Sequence, residues 1–278
     1  SMWGVLKPRV RVSPVSIQGV TINWVTGINA KFLLYNTIGG PIGPGSVVQI
    51  IRSGDVIPKI IKVVIPVTKE LVKMPNIKYK WNETKVDIIT TEPQSNNPQI
   101  QSKKILRFIN SLEIEFVKIG MVKKLMKSGI DSIIKLLNAK TSDFLKIEGV
   151  KEKMATKMFN SIQVCYQNAS LCKLMEGSSC FGSGFGIKKL KKILETYPNV
   201  LELGNDLNLF EKINNIDGFS DKTTKKFIEG LNKMNIFITQ LPPRKQLLQN
   251  TTNTTVNKSN KMKDMYILMS GHRNKDVI

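Results

Sequence analysis

Hydrophobic positions along this chain change period once the first third is passed. Val10-Arg11-Val12 and Val20-Thr21-Ile22 alternate apolar and polar side chains, the period of two that lays one face of a strand on a core. Ser46-Val47-Val48-Gln49-Ile50-Ile51 and Lys59-Ile60-Ile61-Lys62-Val63-Val64-Ile65 are longer β-branched runs, with Gly39-Gly40-Pro41 and Gly43-Pro44-Gly45 as turns between the strands. Several short strands within residues 1–75 predict a small all-β barrel or sandwich. Residues 76–104 lose the alternation in polar stretches such as Trp81-Asn82-Glu83-Thr84 and Pro93-Gln94-Ser95-Asn96-Asn97-Pro98, and read as a connector. From Gln101 the spacing turns helical, as at Ile105, Ile109, Leu112 and Phe116. Short helical pieces separated by Gly turns predict an all-helical domain over residues 105–242. Pro242-Pro243 ends it. The span 243–263, with Asn250-Thr251-Thr252-Asn253-Thr254-Thr255, reads as a flexible linker. Within residues 264–278, Met265-Tyr266-Ile267-Leu268-Met269 is strand-like and predicts the start of a further domain.

Four segments of the helical part repeat one signature: an apolar residue, small turn residues, then Lys-rich amphipathic sequence. They are Val117-Lys118-Ile119-Gly120, Ile147-Glu148-Gly149-Val150, Gly182-Ser183-Gly184-Phe185-Gly186 and Ile216-Asp217-Gly218-Phe219, and subtraction places the marker glycines 120, 149, 184 and 218 at intervals of 29, 35 and 34 residues. A near-constant interval marks a repeated supersecondary unit, here helix, tight turn, helix. A turn glycine lets a phosphate approach the backbone, and the first N–H groups of the next helix have no intrahelical partner. The third copy is the strongest, with Gly182, Gly184 and Gly186 leading into Lys188 and Lys189. The second and fourth keep the frame around Gly149 with Lys151 and around Gly218 with Lys222. The first, holding only Gly120, is the weakest. A single copy reads as an ordinary helix C-cap; four in register read as phosphate sites.

Charge sharpens this. Lys and Arg number 42 against 21 Asp and Glu, a net +21 and a pI near 9.9. Such a balance calls for a polyanionic partner or an anionic membrane surface, and the Gly turns favour nucleic acid. No apolar run approaches the ~18 residues that cross a bilayer, and the N-terminus lacks a signal-peptide layout. Cys165, Cys172 and Cys180 form no C-x-x-C pair, so free thiols in a reducing intracellular compartment, cytoplasm or nucleus, are expected.

The hairpin pattern resembles the helix-hairpin-helix motif, and two pairs in tandem resemble the domain built from such motifs in NAD-dependent DNA ligases. Arg52-Ser53-Gly54-Asp55-Val56-Ile57-Pro58-Lys59-Ile60 is similar to the most recognisable stretch of that family's oligonucleotide-binding barrel. Pro14-Val15, Gly19-Val20-Thr21, Thr26 and Asn29 fall where the family places them, while Ile28 stands where it commonly has His. The resemblance covers about Lys7 to Leu241. It implies a fold of β plus α type: an OB-fold barrel followed by an all-α domain of four hairpins. It implies that Arg52 reaches a DNA phosphate and that Val56 and Ile57 press on the minor groove, roles suited to a guanidinium and to aliphatic wedges. On residue type alone, Val56 and Ile57 read as barrel core. Bacterial members carry a four-cysteine zinc module between barrel and hairpins; the cysteine-free connector here implies loss of that metal and resembles members from large DNA viruses. Tyr266-Ile267-Leu268-Met269-Ser270-Gly271-His272-Arg273 resembles the opening of a BRCT domain.

Ligases take AMP on a Lys in a Lys-x-Asp-Gly motif. The Asp-Gly pair in this chain is Asp217-Gly218, with Asn215 two residues before Asp217. With one histidine, His272, and no Walker loop, the chain holds no recognisable catalytic set. The expectation is therefore the DNA-holding portion of an NAD-dependent DNA ligase that seals nicked duplex DNA without sequence specificity. It would bind no cofactor or metal itself, be inactive alone, and work beside an adenylation domain that uses NAD. The alternative is a stand-alone hairpin module of a repair nuclease, which has no reason to carry the stretch from Arg52 to Pro58.

Overall fold

The structure, a computed structural model, describes residues 1–17, 19–53, 57–92 and 97–244. Alternation in the first third yields two antiparallel hairpins. Strand β2 (Arg9–Ile17) pairs with β3 (Val20–Thr26), setting Arg9 opposite Thr26 and Ile17 opposite Val20, with a slip in register between Arg11 and Val15. Strand β4 (Val47–Ser53) pairs with β5 (Ile57–Ile65), with two further slips. Such irregularities bend strands and let small sheets curl round a core. Helix α1 (Ala30–Tyr35) follows β3, its first turn closed by the Asn29 side chain, which accepts from the Phe32 N–H. Ile22, Val25, Leu33, Ile42, Ile60, Val63 and Val72 form the buried centre of this unit. Among the described residues its strands form separate two-stranded sheets and no closed hydrogen-bonded barrel.

The connector is more ordered than its polarity suggests. Strands β6 (Tyr79–Trp81) and β7 (Ile88–Thr90) pair, and β7 also takes β1 (Val5–Leu6), giving the order β1-β7-β6. Asn82 Oδ1 accepts from the N–H groups of Val86 and Asp87 and closes the β6–β7 turn. Lys7 pairs with Asp87 at 2.6 Å beside it. The first residues therefore belong with the span read as connector.

A β region followed by an all-α region is the architecture that the change of period predicts. The helices are α2 (Pro98–Ser111), α3 (Ile119–Lys127), α4 (Ile133–Asn138), α5 (Thr141–Leu145), α6 (Glu152–Asn168), α7 (Leu171–Ser178), α8 (Ile187–Thr196), α9 (Leu209–Asn214) and α10 (Asp221–Thr239). Helix α2 begins earlier than the boundary at 105, because Asn97 caps it and Pro98 takes the first position, where its missing N–H costs nothing. A single apolar cluster from Ile105 to Met234 holds the helices together. At its centre Phe227 lies between Phe181, stacked at 5.1 Å, and Phe185 at 5.9 Å. The chain leaving α10 returns to the end of α6: Tyr166 donates to the Pro242 carbonyl at 2.7 Å, and Arg244 donates to the carbonyls of Gln167 and Ala169. An arginine at a helix C-terminus satisfies orphan carbonyls and complements the helix dipole. Residues 245–278, and with them His272, the BRCT-like start and most of the linker expected over 243–263, lie outside the described residues.

Candidate nucleic-acid interface

Four helix–turn–helix units line up along the helical region: α2–α3, α5–α6, α7–α8 and α9–α10. In each, a residue with left-handed backbone ends the turn, an apolar residue follows, and the second helix starts two positions on. The left-handed residues are Phe116 (φ 65°), Gly149 (φ 79°), Gly184 (φ 93°) and Gly218 (φ 83°). By subtraction they lie 33, 35 and 34 residues apart, a tighter repeat than the glycines alone give. Gly120 is thus not the turn residue of the first unit. It sits inside the first turn of α3, and Phe116 holds the left-handed position with 43 % of its surface exposed. The frame repeats inward as well. Val122, Ala155, Leu190 and Thr224 stand six positions after the turn residue, Leu125, Met158, Ile193 and Phe227 nine after, and all eight are fully buried.

These turns feed helices whose N-cap makes no side-chain capping hydrogen bond, a trait shared by α5 and α9, which open the second and fourth units. Helices α1, α2, α4 and α7 are capped by the side chains of Asn29, Asn97, Ser132 and Ser170. The four helices after the turns, α3, α6, α8 and α10, start at Lys118, Lys151, Gly186 and Ser220 without a side-chain cap. Ser220, the one residue there with a suitable hydroxyl, lies 3.2 Å from the Thr223 hydroxyl. Uncapped N-termini present amides and the positive end of the helix dipole to an incoming anion.

Lysines surround them. Four positions after the turn residue stand Lys153, Lys188 and Lys222, and Gly120 in the first unit. Lys151 and Lys188 are exposed. Lys222 is exposed too, and reaches Glu83 of the β6–β7 turn at 3.2 Å. Lys189 leans over the rings of Phe185 and Phe219, 5.7 Å from each centroid. Gly182 precedes the third turn with φ 75°, and a Cβ there would meet Lys226 Cε at 2.9 Å. Gly184 has open space around it but a backbone that strains any side chain, whereas Gly186 has φ −103° and serves as the N-cap. The helical region therefore gathers Gly149, Lys151, Gly182, Gly184, Gly186, Lys188, Lys189, Gly218 and Lys222 at its turns. Arg52 and Ile57 lie apart from these, on β4 and β5. Arg52 is half-buried opposite Pro58, and Ile57, opposite Ser53, is 61 % exposed, so it is not barrel core. Val56, with Gly54 and Asp55, lies outside the described residues.

Sequence reasoning missed Phe116, Lys153 and the shift of frame in the first unit. The signal available was the apolar residue nine positions after each turn residue, Leu125, Met158, Ile193 and Phe227, which fits Phe116 as origin. Among the described residues no group of three or more His, Cys, Asp or Glu side chains is placed to hold a metal, and no helix is long and apolar enough to cross a membrane.

No protein-family model matches the chain. It is similar to a protein named DNA ligase from Acanthamoeba polyphaga mimivirus, 37% identical over 228 residues, which is 81% of this chain and 35% of that protein. Proteins named DNA ligase from Ruthia magnifica, 31% identical over 82% of this chain and 36% of that protein, and from Campylobacter lari, 28% identical over 81% and 34%, align over a comparable extent. The chain spans about a third of the length of these curated relatives.

Proposed function

We propose that this chain is the DNA-holding portion of an NAD-dependent DNA ligase, whose adenylation domain lies outside it, and that it grips nicked duplex DNA through phosphates without reading bases. The observation that carries the reading is the set of four uncapped helix N-termini, each behind a left-handed turn residue at a near-constant interval. The net charge of +21 and the similarity to proteins named DNA ligase support it. Amides of the turn and first helical residues would take phosphate oxygens, with Lys153, Lys188 and Lys222 beside them. Arg52 would take a phosphate near the nick, and the exposed Ile57 would lie against the minor groove. NAD would supply the AMP that activates the 5′-phosphate, and the 3′-hydroxyl would bond to that phosphate and displace the AMP. The repair-nuclease alternative does not account for the stretch from Arg52 to Pro58, nor for similarity that runs through both regions.

The test compares two rates in the full-length enzyme carrying Arg52→Ala: formation of the enzyme–AMP adduct, and sealing of a pre-adenylated nick. Loss of one charge-assisted contact is worth ~1.5–3 kcal/mol, so sealing should fall about ten- to a hundredfold with adduct formation kept. Equal loss in both would assign Arg52 to folding or domain closure instead.

A further inference from the structure

Three of the four turns are held by a lysine from another unit. Counting from the left-handed residue of each turn, position eight is Lys124, Lys157, Lys192 and Lys226. None of them serves its own turn. Lys124 of the first unit donates to the Glu148 carbonyl in the second turn at 2.9 Å. Lys192 of the third unit donates to the Asp217 carbonyl in the fourth turn at 3.2 Å and to its carboxylate at 2.7 Å. Lys226 of the fourth unit returns the contact, donating to the Ser183 carbonyl and reaching the Ser183 hydroxyl at 3.1 Å in the third turn. Lys157 of the second unit lies 5.5 Å from the ring centroid of Phe116 in the first. The first turn instead has its Glu115 N–H donated to Ser161 Oγ at 2.9 Å.

Glu148, Asp217 and Ser183 each stand immediately before the left-handed glycine. In a trans peptide the carbonyl of one residue and the N–H of the next point in opposite directions in one plane, and no cis bond occurs among the described residues. An ammonium that fixes the carbonyl of Glu148, Ser183 or Asp217 therefore also fixes the N–H of Gly149, Gly184 or Gly218. It polarises the same amide and makes that N–H a better donor.

We propose that Lys124, Lys192 and Lys226 are positioning residues that act on phosphate binding through the partner turn's glycine N–H. The four units then work as two cross-latched pairs, the first with the second and the third with the fourth, and not as four independent phosphate sites. The proposal rests on the DNA-holding reading above. It separates these lysines from Lys153, Lys188 and Lys222, which stand exposed at position four, Lys222 within reach of Glu83.

Two measurements on the full chain decide it. Without DNA, amide hydrogen exchange in Lys192→Met should quicken across Asp217–Phe219 and stay unchanged across Ser183–Phe185; Lys226→Met should show the converse, and Lys192→Arg should restore protection. With a plain duplex as probe, Lys192→Met and Lys226→Met should each weaken binding about tenfold, the scale of one charge-assisted hydrogen bond. The slope of log affinity against log salt should stay as in the parent, because no phosphate has lost its cation. Lys188→Met should lower that slope by about 0.9, as a direct phosphate contact does. A slope reduced by about that amount in Lys192→Met, or exchange that quickens at the variant's own turn or nowhere, overturns the latch. A parent protein whose duplex binding ignores salt overturns the DNA-holding reading, while the exchange pattern still decides whether the hairpins are cross-latched.

Discussion

Arg107 on α2 donates from Nη2 to the Phe185 carbonyl at 3.0 Å and from Nε to the Glu176 carbonyl at 2.9 Å, so a guanidinium of the first unit fixes the turn of the third. Glu176 lies 3.8 Å from the same side chain, and the Trp3 ring covers it at 5.7 Å. Phe185 is the apolar residue that seats the third turn in the aromatic cluster, and its carbonyl has a charged donor that only a planar fork can share with Glu176.

Arg107→Met should destabilise the helical region by about 1.5–3 kcal/mol, since the side chain is about three-quarters buried and leaves two carbonyls without their charged donor. Urea denaturation measures it. A loss below about 0.5 kcal/mol, the level of an exposed pair, would show that the second pair of units is seated by packing alone.

Gly120 has no atom within 4 Å of a Cβ built on it and an ordinary helical backbone. Gly120→Ala should therefore stabilise by up to ~1 kcal/mol through helix propensity. Gly120→Lys supplies the lysine that the other units carry at that position, and should steepen the salt dependence of duplex binding by about 0.9 in slope. Gly184→Val, by contrast, forces a branched side chain into φ 93° and should weaken binding while the helical circular-dichroism signal is kept. If Gly120→Ala abolishes binding, Gly120 is itself a phosphate site and the frame set by Phe116 is wrong.

Gly230 shows the opposite behaviour from Gly120, although both are helical. A Cβ there would fall 2.5 Å from Phe181 Cδ1 and 2.8 Å from Phe181 Cα. Backbone cannot yield as a flexible side chain does, so Gly230→Ala should lose about 1–3 kcal/mol to overpacking, outweighing the ~1 kcal/mol of helix propensity. Thermal melts of the two alanine variants should move in opposite directions.

Burial pushes the Cys172 thiol up to about 11, with Glu176 adding to the shift and Lys191 opposing it. The folded value lies above the ordinary 9.0, so the stabilising contribution is complete below pH 9 and is lost as pH rises through about 11. Burial also raises Tyr166, so the two groups weaken the fold over neighbouring ranges. The difference between parent and Cys172→Ala isolates the thiol: the parent should lose more stability between pH 9 and 11. At pH 8 Cys172 should alkylate slowly, with about one molecule in a thousand as thiolate. Alkylation of Cys172 as fast as a free thiol would place it in solvent.

Much of the architecture was legible in the sequence. Val10-Arg11-Val12, Ser46–Ile51 and Lys59–Ile65 all mark strands by their β-branched spacing, and three of the four turns announce themselves by Gly149, Gly184 and Gly218. The first turn does not, because Phe116 adopts a backbone that its side chain disfavours, held between the buried Ile114 and Val117. A nearby glycine drew the frame four residues away and hid the recurrence of lysine at position eight. Strand β1 was illegible for another reason: two residues carry no period, and its partner β7 lies more than eighty positions on, so only tertiary pairing defines it. The residues at the tip between β4 and β5 that the ligase resemblance weights most fall outside the described residues, apart from Arg52, Ser53 and Ile57.

The sheet of β1, β7 and β6 carries a consequence for the path of the chain. Val5 pairs with Ile89 and Leu6 with Ile88, so the backbone enters the two-hairpin unit from β1 and comes back through β6 and β7 of the same narrow ladder. Entry and return are thus neighbours, so along the backbone the hairpin unit is an excursion from one ladder, fastened there by Lys7 to Asp87 and by the Lys31 N–H to the Val86 carbonyl. If the chain holds DNA as proposed, that narrow ladder is where the backbone carrying Arg52 joins the backbone carrying the hairpin turns, so the geometry between the two sets of contacts is set there.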